Sequence, residues 1–542
     1  MIGGTMQNLG NRDDQRSFAT IPNVNQARSK FNRSHAVKDT FDFDYLVPVF
    51  VDEILPGDTC NLDVHTFARV ATQVVPVMDN MYLEFFFFFV PNRLLWDNWE
   101  KFNGAQDNPA DSTSFTVPVI TINDGGGWQV DEIYDHMGLP TDVDDITINA
   151  LPLRAYNLIW NEWFRDQNLQ NSVTINTDNG PDATTDYVLL KRGKKHDYFT
   201  SALPWPYKGD ATLLPLGSEA PVITNDTVFT MSDSSDTVTD SNVVFSSSTP
   251  RLYTSPATTS GESVKWGDES GLKTDLTNAT AATINQFREA IMINSLLELD
   301  ARAGTRYTEI LRAHFGVTNG DARLQRPEFL SGGSVQINQH PIPQTSATSG
   351  SNYQADLAAY STASSMGQNI GFSKSFTEHG FVIGLAQARG DITYQQGINR
   401  MWSRSDRYDY FWPKLQEMGE QSILTKELYA QGSTVDTDAD GTPNDDEVWG
   451  YQERYAEYRY KPSEIRGQFR STYASTLDKW HIAEEFSSEP ALNSTFIESN
   501  TPIERSLAVA ASYPHILFDA YFKYIHVRPM MTYGVPATLG RF

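Results

Sequence analysis

Between Met81 and Val90 the chain reads MYLEFFFFFV, with five phenylalanines in succession, and Pro91 closes the run. Successive side chains on a strand point to opposite faces, so a strand with one wet face alternates apolar with polar residues. Five rings in a row forbid that alternation, and both faces must be covered. The run is too short, and Glu84 too polar, for a bilayer span of roughly 18–20 apolar residues. It is expected to be the inner strand of a β-sandwich or a strand beneath a second layer. Phe41–Val51 and Asn61–Val70, rich in β-branched and aromatic residues, read as further strands around the turn Pro56-Gly57-Asp58. Abundant turn residues (35 Gly and 27 Pro) and a charged fraction of only 20% also favour a β-rich fold.

Two stretches have helical spacing. Leu153, Tyr156, Trp160 and Trp163 share one face, as do Ile284, Phe287 and Ile291, followed by Leu296, Leu297 and Leu299. Thr283 stands where an N-cap is expected for the second, and both are expected to pack. Between them, residues 208–283 are rich in Ser, Thr and Asp, with weak strand-like pieces at Thr227–Met231 and Val243–Phe245. Asp226, Asp233, Asp236, Asp240, Glu262, Asp268 and Glu269 meet few bases there, so an exposed insertion is expected. Further loops are expected at Ile342–Gln354, 431–447 and 487–502. The single Cys60 excludes an intrachain disulfide or a cysteine-cluster metal site. The N-terminal residues show no apolar core of a secretory signal, so a soluble protein that works where it is made is expected.

The net charge of −26 sits badly with nucleic-acid binding unless the bases are segregated. They are. Residues 1–40 carry Arg12, Arg16, Arg28, Lys30, Arg33 and Lys38 against Asp13, Asp14 and Asp39, and read as an extended basic arm that either touches phosphates or is solvated. Lys191, Arg192, Lys194, Lys195 and His196 lie beside Tyr198 and Phe199, which suits phosphate contact with base stacking, or pairing with acidic neighbours at an interface. Two clusters, Tyr451, Tyr455, Tyr458 and Tyr460 around Arg454 and Arg459, and Trp402, Tyr408, Tyr410, Phe411 and Trp412 with Arg400, Arg404 and Arg407, are either subunit interfaces or local cores.

Residues 436–447 match the twelve-residue calcium loop. Asp436, Asp438 and Asp440 stand at positions 1, 3 and 5, with Gly441 at 6 for the turn. Thr442 would offer its carbonyl at 7, Asn444 stands at 9 and Glu447 closes at 12. The flanks are not helical, so a lone structural Ca2+ loop is expected, against the plainer reading of an acidic exposed turn. No phosphate-binding Walker loop, G-x-S-x-G elbow, H-E-x-x-H or Cys/His zinc pattern occurs. His65, His136, His314, His379 and His481 are scattered in apolar surroundings that suit structural roles. No enzyme is expected.

Several long blocks together resemble the major capsid proteins of the Microviridae, in the gokushovirus branch. They are Tyr45–Thr59 (YLVPVFVDEILPGDT), Pro76–Phe102, Lys191–Pro206 (KRGKKHDYFTSALPWP), Gly304–Val317, Gly450–Ser463, Phe469–Ile482 and Val527–Gly534 (VRPMMTYG). The resemblance covers roughly half the chain in consistent order. It implies an eight-stranded viral jelly roll with long loop insertions and a few helices. It further implies a T=1 icosahedral shell of sixty copies, built through pentamers around a circular single-stranded DNA phage genome. Minor virion and internal scaffolding proteins would be partners, with assembly in the host bacterial cytoplasm and residence in the virion. The 1–40 arm, core segments 41–207 (with the first helix) and 284–542 (with long interface loops), and the 208–283 insertion would follow. That insertion would form three-fold protrusions and serve host attachment, the receptor being unknown. The competing reading, a secreted calcium-dependent β-sandwich that binds glycans, explains the acidic loop but not the basic arm or the ordered blocks.

Overall fold

The structure is a computed structural model. It describes residues 27–112, 114–209, the strands and helix within 222–303, 313, 325–343, 345, 357–365, 368–437, 440–508 and 513–533. The chain divides into two compact units, Met1–Pro206 with Thr305–Phe542, and Tyr207–Gly304.

The larger unit is built from β1 (Ser29–Asn32), β2 (His35–Phe41), β3 (Val47–Ile54), β4 (Thr59–Val70), β5 (Met81–Pro91), β6 (Glu328–Pro343), β7 (Leu357–Ser364), β8 (Gly371–Ser375) and β9 (Gly380–Gly390). A hairpin, β10 (Glu420–Leu424) with β11 (Val448–Glu453), precedes β12 (Ile516–Arg528). Two antiparallel four-strand arrays run β2-β12-β4-β8 and β3-β9-β5-β6. Each array interleaves strands from before residue 92 with strands from after residue 327, which is the eight-stranded jelly roll. Long β6 joins the arrays. It pairs with β5 as far as Ile337, then from Asn338 with β7, whose own end pairs with β4.

The phenylalanine run lies in β5, between β6 and β9, and its two faces enter different cores. Met81, Leu83, Phe85, Phe87 and Phe89 point into the sandwich, against Phe50, Val64, Phe518 and Phe522 among others. Phe88 and Val90 point the other way, into a second core beneath a helix. The rings need room: a Cβ at Gly384 on β9 would lie 2.6 Å from the Phe87 ring, so this position cannot hold a side chain. Glu84, the run's only charge, is answered by Arg192 and Arg389, each donating to a carboxylate oxygen at 2.7 Å. Burial alone would raise its pKa, but the hydrogen bond and charge of Arg389, then those of Arg192, hold it below the usual carboxylate value.

The helix over the second core, α1 (Leu151–Ile159), is the one expected from Leu153, Tyr156 and Trp160, and it ends in a wider turn over Trp160–Phe164. Its apolar face carries Leu153, Tyr156 and Ile159 into the core with Trp96 and Trp128. Its buried cation, Arg154, is satisfied by Asp182 at 2.8 Å and by the Leu95 and Asp178 carbonyls. A buried charge needs that full set of partners. Tyr156 donates to the Leu46 carbonyl and Trp160 to the Lys191 carbonyl, both at 2.8 Å, which ties helix to strand. A third core, with Tyr198, Phe199, Tyr394, Trp449 and Phe496, lies under the long connection from β9 to β12.

Two expectations need correction. The last part of the supposed arm is not free: β1 and β2 pair with β12, because Phe31, Val37 and Phe41 give those residues an apolar side to dock. The second expected helix forms, as α2 (Ile284–Ala303), but much of its apolar face is open: Phe287, Ile291, Met292 and Leu296 are at least half exposed. Its Thr283 cap lies outside the described residues. In the smaller unit, which holds α2, Thr230–Asp233 and Ser241–Phe245 are strands close to the expected pieces, in a four-stranded sheet with Leu252–Ser255 and Val264–Trp266. No helix among the described residues is long and apolar enough to cross a membrane.

Truncating Phe87 to Ala should cost roughly 3–5 kcal/mol. The same change at exposed Phe67 of β4 should stay within about 0.5 kcal/mol. Denaturant unfolding of the two variants makes the comparison. Because Glu84 is more acidic folded than unfolded, its contribution is present at neutral pH and lost as pH falls through the folded-state value. Glu84→Gln should therefore destabilise by roughly 3 kcal/mol at neutral pH, and the gap in melting temperature from the parent should close in acid.

Candidate functional site

Most of the basic residues picked from sequence are bound within the chain itself. Arg12 and Arg16 lie outside the described residues. Arg28 donates to the Gly57 carbonyl and, at 2.6 Å, to Thr59 Oγ1. Arg33 grips Asp52, with one bond of 2.7 Å. Lys191 stacks over the Tyr45 ring, its Nζ 5.1 Å from the centroid, and Arg192 lies over Phe86 while pairing with Glu84. Lys194 is buried, 3.0 Å from Glu484 and over the Phe496 ring, so it has no surface to offer a phosphate. The tight run of bases is thus mainly an internal ion-pair seam, which linear proximity could not reveal. Lys30 and Lys195 are exposed.

Around Cys60 lies a buried polar cluster that no motif announces, because its members come from three strands and a turn. Tyr524 donates to Asp52 at 2.8 Å, His526 Nε2 is 2.9 Å from Asp58, and Arg528 donates to Asp58 at 3.1 Å. Cys60 Sγ is 3.3 Å from His526 Nε2. The trio of Cys, His and Asp resembles a nucleophile with its base, but burial pushes the Cys60 thiol up to about 12. His526 is lowered, first by burial and then by Arg528. A protonated, buried thiol is neither nucleophile nor metal ligand, so the cluster serves to lock the end of β12 to the turn before β4. The expected structural histidines divide. His136, paired with Asp39 at 2.9 Å, and His481 are buried, and His379 packs on Trp99. His65 is half exposed beside Asp63, and His314 lies outside the described residues.

The acidic loop is folded on its own hydrogen bonds. Asp436 accepts from the Gly441 N–H at 3.0 Å and Asp440 from the Thr442 N–H at 2.7 Å. Asn444 is buried, accepting from Thr437 N–H and donating to Glu489, both at 2.9 Å. Gly441 has φ +92°, which is the turn its position demanded. Glu447 gives its carbonyl to Thr425 N–H at 3.0 Å, and Asp438 lies outside the described residues. Among the described residues no three or more His, Cys, Asp or Glu side chains converge as a metal cluster.

The two aromatic clusters are one surface with one buried root. Tyr455 is buried and its hydroxyl takes the Trp412 N–H, while Phe411 packs on its ring at 5.1 Å. Arg404 ties the halves together, stacking 4.2 Å over Tyr458 and 5.5 Å over Tyr410 and pairing with Glu457 at 3.2 Å. Above this root Trp402, Tyr408, Tyr410 and Tyr460 are exposed, the first by 75%. So many exposed aromatics with arginines are what protein interfaces use, and rare on a monomer's surface.

The profile of the capsid protein (F protein) family matches residues 19–538. Capsid protein VP1 of Bdellovibrio phage phiMH2K is 56% identical over 546 residues, covering 98% of this chain and all of the relative. Capsid protein VP1 of Chlamydia phage 1 is 42% identical, over 96% of this chain and 97% of the relative. That of Spiroplasma virus 4 is 34% identical, over 94% and 95%. With the jelly roll and the unpartnered aromatic surface already in place, the chain belongs to the capsid protein family of the Microviridae.

Proposed function

We propose that this chain is the major coat protein of a small phage, closing into a T=1 icosahedral shell of sixty copies, through pentamers, around a circular single-stranded DNA genome. The observation that carries the reading is end-to-end similarity to capsid proteins at up to 56% identity. A jelly roll hides its strand edges, which suits a protein held at very high local density. Exposed aromatics with arginine suit repeated contacts, each of which needs only modest strength in a closed shell. Its role is structural rather than enzymatic. Genome contact is proposed for the exposed Lys30 and Lys195 with Arg12 and Arg16, backbone-directed and not sequence-reading. The 208–283 segment is proposed to face outward and meet the host.

Electron microscopy of the purified protein should show uniform shells or pentamers; solitary molecules at high concentration in every salt would overturn the reading.

Calcium at 436–447 is proposed as an ordering ion for that loop, supported by the ligand spacing. The ninth ligand is often a water, so Asn444 need not leave Thr437 and Glu489. Chelator should speed proteolysis within 431–449, and Asp436→Ala with Glu447→Ala should abolish the difference. Equal cleavage of the parent with and without calcium would count against it.

A further inference from the structure

Two surfaces of the larger unit each lack what the other has. The first is a cavity of about 830 Å3 with aromatic walls, among them Tyr45, Trp128, Tyr187 and Tyr513. Among the described residues four carboxylates line it, Asp42, Asp124, Asp131 and Glu132, and no Lys or Arg does. The imidazole of His136 in its lining is already held by Asp39. Burial and the neighbouring carboxylates Asp135, Asp42 and Asp39 raise the Asp131 pKa, against His136. Trp128 is buried in the wall, and its indole N–H has no hydrogen-bond partner among the described residues. Like charges gathered on a concave apolar surface favour a cation with flat, apolar flanks.

The second surface supplies that. Arg407 lies 4.5 Å over the Trp412 ring, flanked by Tyr408 and Tyr410, which are 65% and 53% exposed. Arg407 and Lys414 are exposed, and neither has a carboxylate partner among the described residues. We propose that the Arg407–Trp412 face of one copy seats in the acid-rimmed cavity of a second copy. The proposal rests on the coat-protein reading and names one of its contacts. Charge complementarity selects the occupant: Arg407 and Lys414 are exposed cations on an aromatic face, and the hollow is lined by four carboxylates. The guanidinium meets carboxylates at the rim and aromatic faces within, both of which it binds well. The two copies use different surfaces, so the contact propagates around a ring instead of stopping at a pair.

Charge reversal tests it on the full chain, with assembly read by sedimentation velocity and electron microscopy and folding by circular dichroism. Arg407→Glu with Lys414→Glu should cut the assembled fraction about tenfold, and Asp42→Lys with Glu132→Lys should do the same. All four changes in one chain should restore assembly to within about twofold, since the swapped charges are again complementary. If a reversal does not fold, Arg407→Gln and Glu132→Gln should each weaken assembly in the same direction. Either pair assembling like the parent would overturn the proposal, as would a folded fourfold variant no better than the pairs. If Arg407→Glu with Lys414→Glu abolished binding of an oligothymidylate strand and left assembly intact, the face would belong to nucleic acid and not to a second copy. Failure of the unaltered parent to form particles would instead strike at the coat-protein reading itself.

Discussion

Every layer of the larger unit is referred to β5. A strand with rings on both faces can be stable only if something covers each side, because each ring left in water forfeits on the order of 2 kcal/mol or more. The jelly-roll partner array covers one side, through Phe85, Phe87 and Phe89. The segment after β5 folds back over the other, with α1 and its tryptophans closing on Phe88 and Val90. The large first insertion is therefore not decoration on a finished sandwich. Its initial part completes the burial that the strand requires.

The single carboxylate in that strand shows how charge is handled throughout. Glu84 sits between Arg192 and Arg389, so the base that looked available for phosphate in the linear sequence is committed inside. The same holds for Lys194 with Glu484 and for Arg154 with Asp182. Several bases of this acidic chain thus stabilise carboxylates in the interior.

Much of the architecture was legible because it depends on local pattern. Double burial of β5, the β-branched and aromatic content of Asn61–Val70 and the spacing of Leu153, Tyr156 and Trp160 are each set by a few consecutive residues. What escaped were arrangements that only folding brings together. The Asp58, Cys60, Tyr524 and His526 cluster joins the two ends of the chain. The fate of Lys194 depends on a residue nearly three hundred positions away. The arm boundary was misplaced because β1 and β2 are short and mostly polar, and their strand character comes from β12. The aromatic clusters suit interface and core equally by sequence, and they are both: Tyr455 is the root and Tyr410 the surface.

The pairing of β9 with β5 sets Gly380 opposite Pro91 and Gly390 opposite Met81. The long segment following β5 thus departs from one end of the sandwich, and the one following β9 departs from the other. The first nevertheless comes back to meet the second: Tyr198 and Phe199 pack with Tyr394, Trp449 and Phe496, and Lys194 pairs with Glu484. The sandwich is thus clasped lengthwise by its own insertions, and a change of length in one of them is felt by the other across their common core.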